Sequence, residues 1–234
     1  MLKLLNPYFF SKLSRFLLPF TAILFLLSLI SGIYHALIVS PPDYQQGEMV
    51  RMMYVHVPAS WMALGVFTFI AICSFSNLVW KTQMAYLLAI ASAPVGAAFC
   101  LISLVTGSLW GKPIWGTWWV WDARLTSMLI LFLLYLSYIA VVNSGNNIQR
   151  AEKPAAVIAL IGFINIPIIK FSVNIWYSLH QPASVLRFGS PTIHSTMLWP
   201  LMLMFVSFVL YFLLVLILRT NVIIFKFKHN YGKH

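Results

Sequence analysis

Histidine, tryptophan and a few charged side chains are the residues of this chain with chemistry to offer. Five of its nine tryptophans, Trp110, Trp115, Trp118, Trp119 and Trp121, fall inside the run WGKPIWGTWWVWDARLT at 110–126, with Asp122 and Arg124 directly behind them. Neutral imidazole is a metal ligand, and indole is a large flat surface that packs on lipid headgroups or on a planar molecule. The six histidines are His35, His56, His180, His194, His229 and His234. His56 stands in MYVHVPASW, His180 in NIWYSLHQ four residues after Trp176, and His194 in SPTIHSTM. If 176–180 were helical, Trp176 and His180 would share a face. The last two histidines belong to a basic tail.

Other chemistries find little support. GSLWGKP at 107–113 resembles a phosphate-binding loop, but it has one residue too few between its glycines and proline where Ser or Thr is required. No H-E-x-x-H, G-x-S-x-G or carboxylate pair occurs. Cys73 and Cys100 form no C-x-x-C and read as buried space-fillers.

The elements that must position these residues are membrane spans. Charged residues are 8% of the chain, hydrophobic residues 61%, and the mean hydropathy is +0.89; soluble domains carry about 25% charge. Helices of roughly 20 apolar residues hide such surface in a bilayer with their backbone groups satisfied internally. Six spans are expected at about 16–39, 54–78, 84–106, 125–143, 155–172 and 196–218. They make one all-α integral membrane domain over 1–234, with an outer loop at 107–124 between spans 3 and 4. Of the charged residues only Lys170 falls within these limits.

Lys3, Lys12, Arg15, Lys81, Arg150, Lys153, Arg219, Lys226, Lys228 and Lys233 fall on one side, against Arg51, Lys112, Arg124 and Arg187 on the other. Positive residues gather at the cytoplasmic face, so both termini are expected there. The net charge of +11 then reports topology and lipid contact, not nucleic-acid binding. The first span, longer than the about 7–15 residues of a signal-peptide core, reads as an uncleaved anchor. Ala85, Ala89, Ala93 and Ala97 line a small-residue face on span 3. Pro94, Pro58 and Pro167 mark expected bends.

On this topology His35, His56, His180, His194 and the tryptophan loop reach the same outer surface. Aromatic girdling of the membrane interface explains scattered tryptophans, but five in one loop exceed that need; a girdle and a planar-ligand surface both remain open readings. Two imidazoles from different helices facing a flat aromatic surface suit haem, with Arg51 and Arg124 placed for propionates. Asp122 also stands where it would cap the helix of span 4.

WGTWWVWDARLTS closely resembles the tryptophan-rich WWD signature of membrane proteins that handle haem in cytochrome c maturation. With YVHVPASW before it and SLHQ after it, the chain is identified as similar to the CcmC family, over nearly its whole length. The resemblance implies haem b held at the outer leaflet against Trp115, Trp118, Trp119, Trp121 and Asp122. It implies His56 and His180 as axial ligands and delivery to a haem chaperone, CcmE. A small helper, CcmD, and ATP-binding-cassette components, CcmA and CcmB, are the implied partners. The role is lyase-like at the chaperone and not that of a conventional enzyme. The bacterial inner membrane is the implied location, the mitochondrial inner membrane the alternative. His194 matches no motif and stands in for His180 if that assignment fails. The rival readings are a quinone-linked membrane cytochrome subunit and a cofactor-free transporter or assembly scaffold.

Overall fold

A computed structural model describes residues 6–144, 150–176, 178–181, 184–187 and 189–231, the residues 227–231 by backbone alone. Seven helices are named in chain order: α1 Pro7–Tyr34, α2 Met53–Trp80, α3 Gln83–Trp115, α4 Ala123–Asn143, α5 Glu152–Phe163, α6 Asn165–Ile175 and α7 Ser195–Tyr231. With their short extensions they make six segments long and apolar enough to cross a membrane. Among the described residues there is no β-strand, only an isolated bridge between Asp43 and Gly47. The protein is an all-α integral membrane protein of six candidate spans, as expected.

Packing centres on α2 and α3, which share the most extensive helix interface. Lys81 alone takes a left-handed backbone among described non-glycine residues (φ 54°) and reverses the chain in two residues. The small face works as expected: Ala85, Ala89, Ala93 and Ala97 are all buried, which lets backbones approach closely. Gly96 leaves room for the ring of Tyr135 on α4, whose hydroxyl donates to the Ala63 carbonyl on α2 at 2.7 Å. Thus α4 is pinned across both central helices. α7 closes the bundle against α1, α2 and α3, while α1 presents most of its surface outward.

Two features of these elements matter for the site. The bend expected from Pro167 takes the form of a break in the fifth span at Ile164, between α5 and α6. Pro167 lacks the N–H that Phe163 O would accept, and its ring crowds that carbonyl, so the break falls one turn before the proline. The Asn165 side chain, freed there, donates to the Ser127 carbonyl of α4 at 2.8 Å. α3 continues to Trp115, well beyond the expected start of the loop at 107. Gly116 then ends it in a left-handed conformation (φ 78°), its N–H bonded to Lys112 O at 3.0 Å. Trp110 and Trp115 are therefore helical, and the true loop is 116–122.

Candidate functional site

The extension of α3 sets a face on which two aromatic side chains rest. Ser103, Gly107 and Gly111 follow each other at helical spacing. His56 of α2 lies across this face, its Nδ1 3.0 Å from the Ser103 carbonyl and 3.2 Å from Thr106 Oγ1. A Cβ on Gly107 would come within 2.9 Å of the imidazole Cε1. One turn further, a Cβ on Gly111 would come within 2.9 Å of the Trp115 ring. The glycines of the false phosphate-loop motif thus make room for a histidine and a tryptophan. Beneath His56, Ser60 bonds both the His56 carbonyl and Ser103 Oγ.

His180 comes from the segment after α6. Trp176 ends that helix in an extended conformation (ψ 149°), so the helix does not carry on to His180 and Trp176 does not share a helical face with it. The imidazole instead meets the edge of Trp115, ring centroids 4.8 Å apart. Its Nδ1 lies 2.8 Å from Oδ2 of Asp122. Asp122 is buried, and its Oδ1 accepts the Leu125 N–H at 2.8 Å as the N-cap of α4. Ser178 donates to Oδ2. Burial pushes the Asp122 carboxyl up, but the hydrogen bonds from Ser178, Leu125 and His180 outweigh it and hold the group below its ordinary value. Burial depresses His180, against the attraction of Asp122. At neutral pH the pair is thus carboxylate and neutral imidazole, Nδ1–H donating. In both histidines Nδ1 faces an acceptor, and Nε2 makes no hydrogen bond among the described residues.

The tryptophans divide by role. Trp110 meets the edge of His56 at 5.7 Å and donates to Gln46 Oε1 at 2.9 Å, tying the segment before α2 to the end of α3. Trp115 supports His180. Trp119 and Trp121 meet in a T-shaped contact, ring centroids 5.4 Å apart. Trp118, under the ammonium of Lys112 at 5.8 Å, and Trp121 are exposed. Arg124 lies within electrostatic reach of both histidines. Its Nε and the indole Nε1 of Trp119 are buried without a hydrogen-bond partner among the described residues.

Arg51 sits apart from this group, paired with Glu48 and donating to the Ala36 carbonyl at 2.8 Å, where a π-helical turn, His35–Val39, ends the first span. His35 is bonded to the Ser31 carbonyl at 2.8 Å. His194 is exposed and bonded to Thr196 Oγ1 at 2.9 Å. The tail residues His229 and His234 fall outside the described side chains. Reasoning from sequence placed Trp110 in the aromatic cluster without a contact to either histidine, and missed Gly107, Gly111, Ser103 and Ser178. The spacing of Ser103, Gly107 and Gly111 was a usable signal, had α3 been carried past 106.

Fold and site together define a multi-span all-α membrane protein with two imidazoles at one end, each in T-shaped contact with an indole. The chain matches a family model described as heme exporter protein C over residues 1–233. It is 46% identical over 212 residues to heme exporter protein C of Bradyrhizobium diazoefficiens, covering 91% of this chain and 80% of that one. It is 45% identical over 228 residues to a putative cytochrome c biosynthesis ccmC-like mitochondrial protein of Marchantia polymorpha, covering 96% and 95%. Heme exporter protein C of Escherichia coli K12 is 44% identical over 161 residues, 68% of this chain and 66% of that one. The chain belongs to the heme exporter protein C family.

Proposed function

We propose that this protein holds haem b at the outer face of the membrane and delivers it to a haem chaperone during maturation of c-type cytochromes. The observation that carries the reading is the matched pair of imidazoles. His56 and His180 come from different elements to one end of the bundle, each with Nδ1 on an acceptor and with no hydrogen bond to Nε2 among the described residues. Among the described residues no cluster of three or more His, Cys, Asp or Glu side chains forms a cage for a bare cation. Two imidazoles suffice for iron that already carries four pyrrole nitrogens.

The remaining donors fit the same ligand. The N–H groups of Arg124 and Trp119, unpartnered among the described residues, suit propionate oxygens. Arg51, already engaged with Glu48 and Ala36, is the weaker propionate partner. Trp115 braces His180, while Trp118, Trp119 and Trp121 offer apolar surface to the macrocycle and to a docking protein. The family resemblance supports CcmE as the receiving chaperone, CcmD as a helper and CcmA with CcmB as the energy-supplying partners. It also supports a location in the bacterial inner membrane, or the mitochondrial inner membrane for an organelle-encoded chain. A quinone-linked cytochrome, in which histidines pair at depth for transmembrane electron flow, fits less well with imidazoles gathered at one end.

The test is an absorption spectrum of the purified protein beside His56→Ala, His180→Ala and His194→Ala. A Soret band present in the wild type, lost or shifted in the first two and intact in the third, is the expected result. A colourless wild type after co-expression with the chaperone would end the haem reading.

A further inference from the structure

The two imidazoles have unequal partners at Nδ1. His56 donates to a neutral backbone carbonyl, Ser103 O, at 3.0 Å. His180 donates to a buried carboxylate, Asp122 Oδ2, at 2.8 Å. That carboxylate is itself fixed from two further directions, by the Leu125 N–H on Oδ1 at 2.8 Å and by the Ser178 hydroxyl on Oδ2. It cannot swing away without uncapping α4. A hydrogen bond to a carboxylate pulls the Nδ1 proton and leaves more electron density on Nε2 than a bond to an amide carbonyl does.

We infer that Asp122 is a positioning residue for His180, making it the strong, fixed ligand of the site and leaving His56 as the ligand that yields. The inference rests on the haem reading above. In release, the bond between iron and His56 Nε2 breaks, its electron pair stays on the neutral imidazole, and that face of the haem opens. His180 holds the other face meanwhile. The resemblance groups Asp122 with the tryptophans as haem-contacting surface; the geometry instead turns both of its oxygens toward protein donors.

The asymmetry is readable in the ferrous protein by resonance Raman spectroscopy. His56→Ala leaves His180 as the protein ligand, and His180→Ala leaves His56. The iron–histidine stretch is expected at higher frequency in His56→Ala. Equal frequencies, or the reverse order, would overturn the inference while leaving haem binding intact. Asp122→Asn isolates the charge, because asparagine caps a helix as well as aspartate does. In the wild-type background it is expected to raise the reduction potential of the haem. In His56→Ala it is expected to lower the stretch toward that of His180→Ala. An unchanged potential and stretch in Asp122→Asn would reduce Asp122 to a helix cap and sink the proposal. If that variant does not fold, the two histidine variants decide alone. A wild type with no Soret band removes the haem reading and this inference together.

Discussion

Trp119 and Arg124 carry a local cost that the contacts among the described residues do not repay. A buried N–H without an acceptor costs about 1–3 kcal/mol; Trp119 Nε1 and Arg124 Nε are two such groups, and Arg124 lies within electrostatic reach of both histidines. An anionic ligand oxygen would satisfy them. Trp119→Phe keeps the flat ring and deletes the donor. It is expected to weaken haem retention by roughly tenfold, about 1.4 kcal/mol, measured as the rate of haem loss to a soluble haem-binding protein. The ligand-free protein should be no less stable, since the substitution removes an unsatisfied group. Trp121→Phe, at an exposed position, should change retention little. Equal effects of the two would show that ring area, not the buried donor, matters.

At the scale of elements, the outer end of α3 determines the site. Alanine is favoured over glycine inside a helix by about 1 kcal/mol, so glycines at 107 and 111 run against local helix preference. Gly107→Ala is expected to stabilise the helix slightly while pushing His56 off its place, because the new Cβ meets the imidazole at 2.9 Å. The measurable result is a shifted Soret band or lowered haem content with normal expression and a melting temperature no lower than that of the wild type. Gly116→Ala acts differently. Its φ of 78° is strained for any residue with a Cβ, and it should lower stability by about 1 kcal/mol and misplace the loop 116–122. A Gly107→Ala protein with wild-type haem content and spectrum would show that His56 does not need the notch.

At the scale of the whole molecule, charge bias and packing point the same way. The segment before α2, the end of α3, the start of α4 and the segment after α6 are linked by the Gln46–Trp110, Asp122–His180 and Lys170–Leu186 hydrogen bonds, so they share one end. The basic majority, including Lys81, Arg150 and Lys153, belongs to the other. Cysteine labelling tests which end faces out: Trp121→Cys is expected to react with an impermeant maleimide from outside, and Lys81→Cys only after permeabilisation. Cys73 and Cys100 are buried and should give little background. The opposite pattern would invert the topology and detach the site from an outer-face chaperone.

The six spans were legible because their cause is local: a run of apolar side chains long enough for a bilayer reads directly from one stretch of sequence. The interruption before Pro167, the small face of α3 and the cap at Asp122 were legible for the same reason. Which partners the histidines find was not. His180 was read beside Trp176, four residues away, yet it meets Trp115 and Asp122, 65 and 58 positions distant. His56 bonds Ser103, 47 positions on. Such contacts depend on how helices from remote parts of the chain are rotated and where each one ends, and no window of sequence contains that information. Apolar run length and residue type are local, and they specify a membrane-spanning helical chain with imidazoles and indoles available at one end. Bringing each imidazole nitrogen onto a protein acceptor, one of them a charged carboxylate, takes the packing of helices from remote parts of the chain.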